Sequence, residues 1–64
     1  MGYRITYSNS MGAVSARYDR ATDTLARINE LRRIGFSIDQ IVDESSGEAI
    51  GELTLEDYAE AENA

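Results

Sequence analysis

With 64 residues, the chain can form one small domain at most, because a chain of this length buries only about 60% of the surface that it exposes when unfolded. It contains no cysteine, histidine or lysine, which excludes disulfides, zinc sites, thiolate or imidazole catalysis, and Schiff-base chemistry. Its net charge of −6 is unevenly divided: residues 1–33 hold all six arginines and three acids, a charge of +3, whereas residues 34–64 hold nine acids and no base. This division favours contacts between the two halves, between copies of the chain, or with a basic partner.

The first residues run directly into an alternating pattern of polar and apolar side chains. No apolar segment resembles a signal sequence or is long enough to span a bilayer. The sequence therefore predicts a cytoplasmic protein without a membrane partner.

Two alternating runs predict the first hairpin. Residues 3–8 place Tyr3, Ile5 and Tyr7 on one side, and residues 13–18 repeat this alternation. The four residues 9–12 between the runs suit a short loop, in which Gly12 can adopt a positive φ.

A helical period begins at about Arg20. Asp19 or Thr22 is the expected N-cap, and Gly35 is the expected C-terminal stop. The predicted apolar stripe consists of residues three or four positions apart, namely Ala21, Leu25, Ile28 and Leu31.

Residues 36–43 admit two interpretations. A helix is favoured by Ser37 and Gln40, which form a capping box. Residues 31–41 also resemble the helix-Gly-Phe-Ser-helix junction of MerR-type regulators, and this resemblance implies a nucleic-acid-binding regulator. It covers eleven residues, and two strand-like runs stand where that family has its N-terminal helix-turn-helix.

A strand is the second interpretation of residues 36–43. It is favoured by the turn at residues 44–47 and by a short partner run, Glu48 to Ile50. We predict the strand, because the two runs and the turn together form a second hairpin.

A short acidic helix closes the sequence. Thr54 opens it with Asp57 as an approximate capping box, and its apolar strip is narrow: Leu55, Tyr58 and Ala59. Residues 61–64 contain only Ala, Glu and Asn and are expected to fray.

The resulting order is ββαββ(α), a single α+β domain over residues 1–64. Two hairpins predict a four-stranded antiparallel sheet with one long helix packed on one face. Only the final helix could cover the other face. If that face carried Tyr and Ile side chains, it would be a docking surface for a second copy or for another protein.

Several carboxylates lie between Asp39 and Glu52 and suggest a calcium site, but their spacing is not that of a calcium-binding loop. Asp43 and Glu48 could face each other across the second hairpin, as two catalytic carboxylates do. A thin domain offers no cleft in which burial could raise a carboxyl pKa. We therefore predict no enzymatic activity, no metal and no cofactor.

Tyr3, Tyr7 and Tyr18 beside Arg4 and Arg17 could form a stacking platform for single-stranded nucleic acid. The overall negative charge opposes binding to phosphates, so we expect the tyrosines to be half-buried instead and nucleic acid not to be a partner.

The leading hypothesis is a small non-enzymatic protein-interaction module that acts as a homodimer or as an accessory chain of a larger partner with a basic surface. The alternatives are an acidic mimic of nucleic acid, such as a phage-encoded inhibitor, and a nucleic-acid-binding regulator. The candidate interaction surface consists of aromatic and charged residues from both halves of the chain: Tyr3, Tyr7, Arg17, Tyr18, Arg32, Arg33, Asp43, Glu48, Glu52 and Tyr58.

Overall fold

Four antiparallel strands and two helices make up the fold in a computed structural model that describes residues 2–63. The strands follow the order β2-β1-β3-β4 across one sheet. This confirms the predicted α+β class, the four-stranded antiparallel sheet and the order of elements. The elements are β1 (Tyr3–Asn9), β2 (Gly12–Tyr18), α1 (Ala21–Arg33), β3 (Ser37–Asp43), β4 (Glu48–Ala49) and α2 (Glu52–Glu62).

The first hairpin has a shorter loop than predicted. Asn9 pairs with Gly12, so only Ser10 and Met11 lie between the strands. The Asn9 side chain accepts a hydrogen bond from the Met11 backbone N–H at 2.8 Å, and Gly12 adopts a φ of 140°. The short polar side chain and the glycine together let the chain reverse within two residues.

Helix α1 ends as the sequence predicts. Gly35 has a φ of 106° and donates to the Arg32 carbonyl at 3.3 Å, while the Phe36 N–H donates to the Leu31 carbonyl at 2.9 Å. This pair of bonds is a Schellman motif, which satisfies carbonyls that the helix leaves open. The motif directs Phe36 back towards the sheet, where its ring meets Tyr7 edge-on at 5.1 Å.

Residues 37–43 form strand β3, which confirms the strand interpretation and shows that the helix interpretation was wrong. The MerR-like junction therefore ends at Gly35, because the chain continues as a partner of β1 instead of as a helix. Thr6 pairs with Gln40 and Tyr7 pairs with Ile38, so Asp39 forms a β-bulge. The second hairpin closes with only two residues in β4, and the Ile50 N–H then donates to the Ile41 carbonyl at 2.8 Å.

Helix α2 begins at Glu52, two residues before the predicted start, and its N-cap, Gly51, makes no side-chain hydrogen bond. It lies on the same face of the sheet as α1, since Leu55 and Ala59 belong to the same buried cluster as the α1 residues. The expectation that α2 could cover the other face was therefore wrong. The core of buried apolar side chains consists of Ile5, Tyr7, Ala21, Ile28, Leu31, Ile41, Leu55 and Ala59.

The two helices run antiparallel and are joined at both ends. Arg32, at the end of α1, contacts Glu52, at the start of α2, at 2.6 Å. At the opposite end, Glu62 accepts hydrogen bonds from the backbone N–H groups of Ala21 at 2.6 Å and Thr22 at 3.1 Å. Glu62 thus supplies the cap that we expected from Asp19 or Thr22, because the first N–H groups of a helix attract a carboxylate.

The same contact changes the interpretation of the C-terminal residues. The sequence predicts fraying over residues 61–64, whereas α2 continues to Glu62 and Asn63 follows as its C-cap. Residue 64 lies outside the described residues. The helix end is held by the capping bonds of Glu62, whose partners lie 40 and 41 positions earlier in the chain.

The Glu62 cap predicts a pH dependence of stability. Hydrogen bonds from Ala21 and Thr22 lower the pKa of the Glu62 carboxyl. A lowered pKa in the folded state stabilises the protein above the pKa of an unfolded glutamate, and this stabilisation is lost as the pH falls through the folded-state pKa. We expect Glu62→Gln to lower Tm at neutral pH and to reduce the further loss of Tm on acidification.

Thermal unfolding from neutral pH to about pH 3, followed by circular dichroism, measures this effect. Glu60→Gln is the matched control, because it removes one charge from an exposed position near the same helix end. An acid-induced loss of Tm that is equal in wild type and Glu62→Gln would contradict the capping role.

Candidate interaction surface

The face of the sheet opposite the helices, here called the open face, is mainly polar. The strand register places one set of alternate residues on this face, because their neighbours Ile5, Tyr7 and Ile41 point into the core. The open face therefore lacks the Tyr and Ile side chains that would make it a docking surface, because the apolar side of the alternation lies under both helices. The open face carries Arg4, Thr6, Ser8, Ala13, Ser15, Arg17, Gln40, Val42 and Ala49.

The three strand tyrosines and the two strand arginines lie on opposite faces. Tyr7 is only 8% exposed, and Tyr3 and Tyr18 pack against the core cluster. Arg4 and Arg17 alternate with them and lie on the open face. The stacking platform considered from the sequence is therefore not formed.

One ion pair crosses the end of the open face. Arg17 in β2 contacts Glu44, which follows β3, at 3.0 Å, although β1 lies between these strands. Gly2 lies beside this pair, and a Cβ there would lie only 3.0 Å from the Tyr18 carbonyl oxygen, whereas its distance of 3.6 Å from the Arg17 Nε would be an ordinary contact. The Glu44 N–H donates to the Gly2 carbonyl at 2.9 Å, which completes the arrangement.

Three ion pairs join the basic and acidic halves of the chain within one molecule. They are Arg17–Glu44 at 3.0 Å, Arg20–Glu62 at 3.8 Å and Arg32–Glu52 at 2.6 Å. Contacts between the two halves, one of the three arrangements that the charge division favours, are thus present in the fold. Each pair is partly exposed, and exposed ion pairs are weak and screened by salt.

Asp43 and Glu48 face each other across the β3–β4 pair, as the sequence suggested. The Asp43 carboxylate, however, accepts hydrogen bonds from the Ser45 hydroxyl at 2.6 Å and from the Ser45 N–H at 2.9 Å. These bonds lower the Asp43 pKa, whereas a general acid needs a raised one. Asp43 therefore shapes the turn, and Gly47 closes it with a φ of 75°.

The ten predicted site residues do not form one surface. Arg32 pairs with Glu52, and Arg33 is exposed at the end of α1 beside the first hairpin. At the other end of the sheet, the rings of Tyr3 and Tyr58 lie 6.2 Å apart, and burial, followed by the nearby Asp43 and Glu62, raises the Tyr3 pKa. The predicted set groups residues by chemical type, and the fold distributes them over both faces and both ends.

Two shallow depressions lie on the surface. One, of about 210 Å³, is lined by charged residues and by Ile38, Ile41 and Ile50 beside β3. The other, of about 240 Å³, is lined at the first hairpin by Met11, Val14 and Phe36 together with Asn9, Gly12 and Ala13. Within residues 2–63, no three acidic side chains lie close enough together to hold a metal ion.

The feature that sequence reasoning missed is the outer edge of β2. All seven β2 residues pair with β1 in a regular register, and five of the seven are exposed. No described strand pairs with the other side of β2. The alternating run of residues 13–18 indicates a strand, but the alternation does not show whether that strand lies at the edge of the sheet or inside it.

No family model matches the chain, and no match was found among curated proteins or solved structures. In the part of the chain that the structure describes, neither helix has the length and apolar character needed to cross a bilayer.

Proposed function

We propose that the protein is a small, non-enzymatic protein-interaction module that associates with a second copy of itself or with a larger protein. The observation that carries this proposal is the full-length, seven-residue edge of β2, which no described strand covers. Unpaired N–H and C=O groups along such an edge are a template for another strand.

The size of the core supports the same proposal. Only nine hydrophobic side chains and Thr24 are buried in the part of the chain that the structure describes. A single core in a domain of this size supplies net stability of only about 3–5 kcal/mol, and association adds burial that the isolated chain lacks.

The ionisable groups favour a binding function over catalysis. The two carboxyl groups whose pKa is shifted, Asp43 and Glu62, are both shifted downwards by hydrogen bonds to neighbouring backbone and hydroxyl groups. A lowered pKa disfavours the role of general acid, which needs a carboxyl group that is protonated near neutral pH.

Sedimentation velocity over a range of concentrations tests the proposal. We expect a dimer at tens of micromolar, and we expect it to persist at high salt, because strand pairing and apolar contacts are not screened as exposed ion pairs are. A monomer at every concentration would contradict self-association, and a dimer that vanishes at high salt would show that charge holds it.

The same runs with added macromolecules test the two alternatives. Co-sedimentation with duplex DNA would favour a nucleic-acid-binding regulator over the proposed module. Binding to a basic DNA-binding protein that duplex DNA displaces would favour the acidic mimic, for which the exposed face of α2 supplies Glu56, Asp57 and Glu60.

A further inference from the structure

From the geometry of the sheet we infer that two copies of the chain pair antiparallel along β2, with Ser15 of one copy opposite Ser15 of the second copy, and form one continuous eight-stranded sheet. This inference rests on the proposed interaction function and specifies which surface carries it. It differs from docking through the open face, whose side chains are mainly polar.

The two edges of the sheet differ in how well they resist pairing. At the β4 edge, the strand has only two residues, and β3 carries a bulge at Asp39. The exposed acids Asp39 and Glu48 add negative charge there. Short strands, bulges and charged side chains all hinder the addition of another strand.

The β2 edge has none of these features. Its sequence, Gly-Ala-Val-Ser-Ala-Arg-Tyr, contains no proline and no bulge, and its side chains between Gly12 and Arg17 are small. The single charged side chain, Arg17, is drawn across the open face towards Glu44. The edge therefore presents a regular and nearly uncharged backbone.

The direction of the backbone groups of β2 follows from the hydrogen bonds on the other side of β1. The Glu44 N–H donates to the Gly2 carbonyl, so the backbone N–H and C=O groups of even-numbered residues at this end of the chain point towards β3. The backbone groups of the odd-numbered residues of β1 therefore point towards β2. In the β1–β2 register, odd residues of β1 pair with even residues of β2. The outward N–H and C=O groups of β2 consequently belong to Ala13, Ser15 and Arg17.

A twofold axis at Ser15 uses all of these outward groups. Ser15 then pairs with Ser15 of the second copy, and Ala13 pairs with Arg17 of the second copy. This register overlaps all seven residues of β2, whereas a shift along the strand leaves outward groups unpaired. It also avoids placing Arg17 opposite its own copy, where like charges would repel.

The side chains on the helix-covered face fit the same register. Val14, which is 50% exposed, lies opposite Ala16 of the second copy and becomes covered. Tyr18 of the second copy lies opposite Gly12, which leaves room for an aromatic ring beside the depression lined by Met11, Val14 and Phe36. The symmetric pair repeats both contacts.

Charge also favours the antiparallel arrangement. The C-terminal end of α1, with exposed Arg33, lies near the first hairpin, because Ser37 pairs with Ser8. Asp19, just before α1, and Asp23, in its first turn, are exposed at the opposite end of β2, where the charge of Arg20 is offset by Glu62 at 3.8 Å. Antiparallel pairing places the basic end of one copy beside the acidic end of the other.

The substitution Ser15→Glu tests the inference by placing two negative charges on the symmetry axis. The site is exposed in the monomer, so the fold should tolerate the change, and thermal unfolding verifies this. We expect the dissociation constant of the dimer, measured by sedimentation, to rise at least about tenfold, because like charges placed opposite each other at an interface are strongly unfavourable.

Gln40→Glu is the matched control, since it adds the same charge to an exposed open-face position two strands away from the edge. Mixing Ser15→Glu with Ser15→Arg is expected to restore a mixed dimer. In the wild-type dimer, the backbone N–H groups of Ala13, Ser15 and Arg17 should exchange slowly with solvent, and they should exchange fast in Ser15→Glu.

The outcomes separate the inference from the function on which it rests. A wild-type dimer that Ser15→Glu leaves intact would overturn pairing along β2 while leaving the interaction function standing. Equal weakening by Gln40→Glu would show a general charge effect and would also overturn it. A wild-type monomer would contradict the proposed self-association itself.

Discussion

Replacing Leu55 by alanine should unfold most of the protein at concentrations where it is monomeric. Leu55 is fully buried in the core cluster that also contains residues of α1 and the sheet, and the other buried side chain of α2, Ala59, is small. Leu→Ala changes in a core cost about 2–5 kcal/mol, which is comparable with the total stability of about 3–5 kcal/mol for a domain of this size. Urea unfolding followed by circular dichroism measures the loss.

Leu53→Ala is the matched control for this prediction. Leu53 lies in the same helix and is 78% exposed, so its truncation should change the free energy of unfolding by no more than about 0.5 kcal/mol. Similar losses for both variants would show that α2 does not dock through Leu55.

Replacing Gly35 by alanine should destabilise the fold by about 1–2 kcal/mol, because a residue with a Cβ rarely adopts a positive φ. The φ of Gly35 is 106°, and a Cβ there would meet no other atom within 4 Å. The expected cost thus arises from the backbone alone and not from a clash. The substitution therefore weakens the Schellman motif that ends α1 and directs Phe36 to Tyr7.

Gly51→Ala provides the comparison, since Gly51 has a φ of −83° and equally open surroundings. We expect a change within about 0.5 kcal/mol, because alanine is compatible with this backbone conformation. Thermal and urea unfolding of both variants measure the difference. If Gly35→Ala were as stable as Gly51→Ala, the positive φ at the end of α1 would not be required.

The order of elements could be predicted because periodicity is a local property of the chain. Alternation defined β1 and β2 within a few residues of their bounds, and the stripe from Ala21 to Leu31 defined α1. Residues 36–43 were harder, since a capping box and a strand pattern overlap there. The downstream turn and the short run after it correctly indicated the strand, because a hairpin consists of two strands joined by a turn.

The features that could not be predicted depend on residues far apart in the sequence. Glu62 caps α1 across 41 positions, so no local pattern identified it, and Asp19 and Thr22 were the nearest polar alternatives. The sequence likewise does not indicate on which face of the sheet α2 packs, because the buried strip of α2 consists only of Leu55 and Ala59.

The interaction surface could be predicted only in part. The alternation of Tyr3, Arg4 and Ile5 already places tyrosines and arginines on opposite faces, so the sequence contained the information that separates them. Which strand lies at the edge depends on the long-range pairing of β1 with β3, and no pattern within either strand specifies it. Charge and aromaticity are the only criteria that the sequence offers for choosing surface residues, and the fold does not bring residues of these types together on one surface.

The position of β1 at the centre of the sheet has a consequence for folding. β1 can form its hairpin with β2 through a two-residue loop, but its second partner, β3, follows only after α1 has been made. Closing that longer loop costs more entropy than closing the hairpin, so pairing of β1 with β3 should be the slower event. During synthesis, which proceeds from the N-terminus, α1 emerges well before Glu62 and has no carboxylate cap until then. The first hairpin and α1 are thus the part of the chain that can form early, and the docking of α2 completes the fold.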